Sequence, residues 1–148
     1  MTKGTGKYFG CNLISAITNR GELAFMVCEG MFNAATFLDF MERLIKQTAG
    51  RKVFLILDNL RVHHAKVLHP WRAEHANEIE LFFIPSYSPD LNPDEILNHD
   101  LKANAVGRKR ARNKVELVAN ATEHLESRAR TPERVAAYFR EKHVCYAA

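Results

Sequence analysis

The apolar positions of this chain run in two rhythms. Cys11–Thr18 (CNLISAIT) and Glu22–Glu29 (ELAFMVCE) are short apolar runs rich in β-forming residues, and the Asn-Arg-Gly between them is a tight turn, so the pair predicts a hairpin. The rhythm then lengthens: Phe37, Phe40, Met41, Leu44 and Ile45 recur at helical spacing, with Asn33 placed to cap the start of the helix and Gly50 to end it. Lys52–Leu57 (KVFLIL) reads as a buried strand ending at Asp58. A helix around 65–76 carrying Trp71 and a short strand over Ile79–Ile84 follow. Residues 85–93 (PSYSPDLNP) form a proline-rich turn. The pattern is helical from Asn92 onward, with further helices over 114–129 and 132–142.

A hairpin followed by a strand–helix–strand unit predicts an α/β fold with a mixed sheet and flanking helices. The strands over 52–57 and 79–84, joined through a helix, should lie parallel by the right-handed crossover rule. No repeat, low-complexity tract or linker interrupts the pattern, so residues 1–148 read as one domain.

Asp58 changes this picture. A carboxylate at the end of a buried strand is costly unless a cation meets it or the strand end opens into a solvated crevice. The carboxyl ends of parallel strands are where α/β sheets open such crevices. Glu95 is a second candidate, because Asn92 is a good N-cap and Pro93 suits the first helical position, which places Glu95 in the first helical turn. One role for Glu95 is to close a capping box with Asn92. The other is to face Asp58 across one edge of the sheet. Two carboxylates close together repel unless a cation or a shared proton compensates, and hard oxygen ligands suit Mg²⁺ or Mn²⁺.

Composition adds limits. At 47% hydrophobic and 26% charged the chain is of ordinary globular type, and no run approaches the roughly 18 apolar residues of a membrane span. Its three cysteines match no metal spacing, and Cys11 and Cys28 read as small apolar strand residues, which fits a reduced, cytoplasmic setting. The net charge of +4 is uneven: residues 1–100 carry 10 Lys and Arg against 12 Asp and Glu, and residues 101–148 carry 11 against 5. The densest cluster, GRKRARNK at 107–114, is either a solvated basic face or a phosphate-contacting segment through Arg108, Lys109, Arg110 and Arg112.

The segments FLILDNLRVHHAK and LFFIPSYSPDLNPDEILNHDLK, with the ending HVCYAA, resemble the catalytic domain of transposases of the insertion sequence 630 family, mariner-related members of the DDE superfamily. The resemblance implies a ribonuclease-H-like fold and DNA strand cleavage and transfer by two Mg²⁺ ions held by three carboxylates. By motif, Asp58 matches the second carboxylate and Glu95 the third, while Asn59, His63 and His64 match the polar segment after the second. The family's first Asp lies on a strand before the hairpin, and this chain has no Asp or Glu in its first 21 residues. The expectation is therefore a domain lacking its first strand and the usual N-terminal DNA-binding region, with an exposed sheet edge, a tendency to dimerise and a partner half encoded upstream. The alternative is a non-catalytic DNA-binding or assembly remnant.

Other polar residues are weighed singly. His63 and His64 either touch DNA near the metal or are solvated at a helix start. Asn59 orients a water or phosphate, or caps the next helix. Lys102, seven residues past Glu95, lies on nearly the same helix face and can reach a phosphate. Asp90 and Asp94 read as turn and helix-start residues, and Asp100 as an exposed helix charge.

Overall fold

The computed structural model describes residues 12–28, 32–106 and 111–148. Strand β1 (Asn12–Ile17) pairs antiparallel with β2 (Leu23–Cys28), with Leu13 opposite Val27 and Ile17 opposite Leu23. The turn is held by Thr18, whose hydroxyl and carbonyl accept the N–H groups of Glu22 and Gly21. Gly21 has φ +92°, and a Cβ there would sit 2.0 Å from the carbonyl oxygen of Pro132, so both conformation and space require glycine.

Helix α1 (Ala34–Gln47) starts where Asn33 Oδ1 accepts the Thr36 N–H at 3.0 Å, and buries Phe37, Phe40, Met41 and Leu44. Strand β3 (Val53–Leu57) pairs in parallel with β4 (Ile79–Phe83), as the crossover rule requires. Between them lie a short 3₁₀ turn over Arg61–His64 and helix α2 (Leu68–Glu74), which buries Leu68 and Trp71. Helix α3 (Asp94–Leu101) runs into a π-helical turn over Lys102–Val106. Helix α4 (Lys114–Ala129) is capped by Asn113, and α5 (Pro132–Tyr138) begins with proline at its first position.

Two apolar cores hold these elements. One face of the hairpin (Ile14, Ala16, Ala24, Met26) packs with α1 and with Val53, Leu55 and Leu57 of β3. The other face (Leu13 and Ile17) packs with Leu97 and Leu101 of α3, Ala121 and Leu125 of α4, and Val135 and Phe139. Buried on both faces, β1 is a central element, and truncating a fully buried neighbour such as Leu44 to alanine costs about 2–5 kcal/mol.

The elements fall in the expected order, but the described strands do not form one mixed sheet. Among the described residues β1 pairs only with β2, and β3 only with β4. The shared core, not a continuous ladder, joins the two pairs. A cleft of about 500 Å³ lies between the hairpin turn (Thr18, Asn19, Arg20, Glu22) and β3 (Val53, Phe54, Ile56). In the parallel ladder Val53 and Leu57 bond toward β4, so the backbone groups of Phe54 and Ile56 point to the opposite edge, beside this cleft. Among the described residues no helix is long and apolar enough to cross a membrane.

Candidate active site

Asp58 directly follows β3, and Glu95 sits in the first turn of α3. Asn92 joins them. Its side chain is 1% exposed, and its Oδ1 accepts the backbone N–H of Asp94 at 3.0 Å. That bond fixes which end of the amide is oxygen, so Nδ2 must face Asp58, where it donates to Oδ1 at 2.8 Å. The Asn92 carbonyl accepts the Glu95 N–H at 3.0 Å. One residue thus starts the helix that carries Glu95 and orients the aspartate at the strand end.

Glu95 is half-buried. Burial first, and then the negative charge of Asp58, hold its carboxyl above the ordinary range, against an Asn98 hydrogen bond and the positive charges of His99 and Lys102. Asp58 and Glu95 therefore feel each other, and the glutamate is held by Asn98 on its own helix. Exposed Lys102 is close enough to act on Glu95 electrostatically.

Asp94 is the first residue of α3, the helix-start position expected, and it is 0% exposed, with Ser15 Oγ of β1 2.9 Å from both carboxyl oxygens, and burial pushes its pKa well up. Two other polar residues differ from their sequence-based expectation. His63 is neither solvated nor on a DNA-facing surface. It is fully buried, its ring 4.6 Å from that of Phe37, and Nδ1 donates to the Asp58 carbonyl at 2.7 Å, so it braces the strand end from inside. Asp100 is the hub of a cluster. It accepts from Arg128 Nε and Nη2 at 2.6 and 3.2 Å, from Tyr138 and from Asn104, and lies 3.5 Å from His124 Nε2.

The remaining candidates are spread. Asn59 donates to Ser86 Oγ at 3.0 Å and accepts from His64 Nε2, and the exposed His64 ring stacks on Phe83 at 4.1 Å. Arg112 is exposed at the start of α4, where its backbone N–H binds Glu116. Arg108, Lys109 and Arg110 lie outside the described residues. Sequence reasoning saw Asn92 only as a helix cap. Its adjacency to Pro93 signals the cap, whereas the bond to Asp58 spans 34 residues and has no local signature.

Hard carboxylate oxygens fit Mg²⁺ or Mn²⁺, and the repulsion between Asp58 and Glu95 is what a divalent cation would relieve. Asn92 engages Oδ1 of Asp58, and among the described residues no hydrogen bond to Oδ2 competes with such an ion. Among the described residues no three His, Cys, Asp or Glu side chains converge as a complete metal site, so the pair fits as part of one.

An acidic strand end tied to an acidic helix start, on an α/β scaffold, is an arrangement whose chemistry suits hard cations and phosphate esters. The chain belongs to the DDE superfamily endonucleases, whose family pattern matches residues 2–118. Its fold is similar to the crystal structure of the catalytic domain of Mos1 mariner transposase, with a TM-score of 0.69 at 16% identity over 99% of this chain and 80% of that one. The ribonuclease-H-like fold class expected from the sequence agrees with that likeness. No curated protein matches the chain.

Proposed function

We propose that the chain is a transposase catalytic domain of the insertion sequence 630 type, in which Asp58 and Glu95 are the catalytic, metal-holding carboxylates for DNA strand cleavage and transfer. The observation that carries this is the Asp58–Asn92–Glu95 arrangement in a member of the DDE superfamily endonucleases. The chemistry is attack of water, and then of a freed 3′-hydroxyl, on a phosphodiester, with the attacked P–O bond breaking to release the opposite oxygen. A divalent ion would supply positive charge for the attacking and leaving oxygens. Asp58 and Glu95 would hold it, and Asn92 would keep Asp58 aimed. Asn59 and His64, beside Asp58, are candidates for phosphate contact, and Lys102, past the far end of α3, is a further one. Arg108, Lys109, Arg110 and Arg112 are the candidate backbone-contacting cluster. The edge of β3 beside the cleft, which pairs with no strand among the described residues, supports a further element of the reading: the first carboxylate arrives on another strand, from an upstream-encoded segment or a second subunit, in a cytoplasmic enzyme.

A non-catalytic, DNA-binding or assembly role is the second reading, favoured by the absence of a third converging ligand among the described residues. One experiment separates the two. The 148-residue chain should nick DNA little or not at all with Mg²⁺, because two carboxylates hold this geometry-demanding ion weakly. Supplying the upstream Asp-bearing segment, fused or in trans, should restore cleavage, and Asp58→Ala or Glu95→Ala should abolish it. No cleavage by the completed protein would select the second reading, whereas strong nicking by the chain alone would mean that the first carboxylate is already present.

A further inference from the structure

Tyr87 combines two unusual features. Its ring is fully exposed, at 102% of its reference area, and its backbone sits at φ +58°. Left-handed backbone is costly for a non-glycine residue and a marked outlier for a bulky one. The ring repays none of this within the chain, since it buries no surface. A serine or glycine there would serve the turn better.

The neighbours show that the ring is displayed from a braced loop. Ser86 is bonded through Oγ to Asn59, the residue after Asp58. Ser88 accepts the Leu91 N–H at 3.1 Å and donates its hydroxyl to the Ser86 carbonyl at 3.4 Å. The loop runs from β4, the partner of β3, to Asn92, so Tyr87 stands between Ser86, bonded to the residue after Asp58, and Asn92, bonded to Asp58 itself. Strain held by a rigid surround beside a reactive site points to a task performed on a partner.

We propose that Tyr87 is a DNA-contact residue whose ring stacks on a nucleobase exposed at the point where the strand is cut. This rests on the DNA-cleaving reading above and names what touches the substrate beside the carboxylates. A flat, rigid aromatic side chain suits a base, because every base offers a π-face and an unstacked base has lost its own neighbour.

The test uses the whole chain and an oligonucleotide duplex with a single-stranded overhang carrying 2-aminopurine. Tyr87→Ala and Tyr87→Gly should bind it about ten-fold more weakly and lose the quenching of the fluorescent base. Tyr87→Phe should retain both, because the ring and not the hydroxyl makes the contact. Tyr87→Gly should also melt at or above the wild-type temperature, since glycine relieves the strain. Unchanged binding by Tyr87→Ala, or a Tyr87→Phe variant as weak as Tyr87→Ala, overturns the inference while leaving the DNA-cleaving reading intact. A fall in melting temperature for Tyr87→Gly overturns it too, by showing that the ring supports the fold. A wild-type chain that binds no DNA removes both readings together.

Discussion

Of the three carboxylates on helix α3, Glu95 and Asp100, five residues apart, live in opposite electrostatic worlds. At its start Glu95 faces another carboxylate, and burial with the Asp58 charge pushes its pKa up. At its end Asp100 is only slightly exposed, but the hydrogen bonds from Arg128 and Tyr138, with the charges of Arg128 and His124, outweigh that burial and hold it well below the usual carboxylate range. One end is left electrostatically unsatisfied and the other is fully compensated. The compensated cluster binds α3 to α4 and α5. The pair at the other end is the one that the proposed metal site would use.

The largest effect should come from breaking the compensated end. Arg128→Ala leaves Asp100 poorly paired in a nearly enclosed site and should cost about 3–5 kcal/mol, seen as a fall in the urea midpoint. Replacing both partners together with apolar residues should cost less than either alone. A loss under about 1 kcal/mol for Arg128→Ala would place the cluster among ordinary surface pairs.

Next is the brace at the other end. Asn92→Ser keeps a helix-capping oxygen but cannot reach Asp58, so it should weaken Mn²⁺ binding about ten-fold in a titration followed by electron paramagnetic resonance. Asp58→Ala sets the floor of that titration. Equal affinity for the serine variant and wild type would reduce Asn92 to a cap.

The contrast also has a sign in pH. A carboxyl whose folded pKa is raised, as for Glu95, binds its proton more readily in the folded state, so its contribution to stability falls as pH rises from the unfolded value of 4.5 toward the raised one. Asp100 works oppositely: its stabilisation is complete above its unfolded value of 3.8 and is lost as pH falls below it. Urea midpoints of Glu95→Gln and wild type should therefore diverge as pH rises through the acid range, in favour of the glutamine variant. A difference that is flat with pH would remove the repulsion from the account.

The smallest effect concerns the basic cluster. Replacing Arg108, Lys109 and Arg110 with alanine should weaken binding to any DNA sequence about equally and flatten the salt dependence by about one unit of slope per lost phosphate contact. An unchanged slope would make the cluster a solvated face.

What was legible in the sequence divides along the same line. Asp58 and Glu95 stand out because each is marked locally, one by an apolar run that stops at an aspartate and the other by Asn-Pro at a helix start. The five helices and four strands among the described residues follow from periodicity for the same reason. The Asp100 cluster was not legible: its partners lie 28 and 38 residues away on helices whose packing no local pattern records. The burial of Asp94 and of His63 has no local signature, because it depends on a distant Ser15 and on Phe37. The separation of the strands into two pairs is likewise a long-range outcome.

The seating of Gly21 against Pro132 has a consequence for the order in which the molecule assembles. The hairpin and α5 lie more than a hundred residues apart, yet Leu13 and Ile17 share a core with Val135 and Phe139. The first described strand finishes its packing only after the last helix has been made. Closing so long a loop is slow. A chain emerging from the ribosome would carry an unsealed hairpin until its C-terminal helices appear, and folding should be rate-limited by their docking, with α1 and the β3–β4 pair already in place.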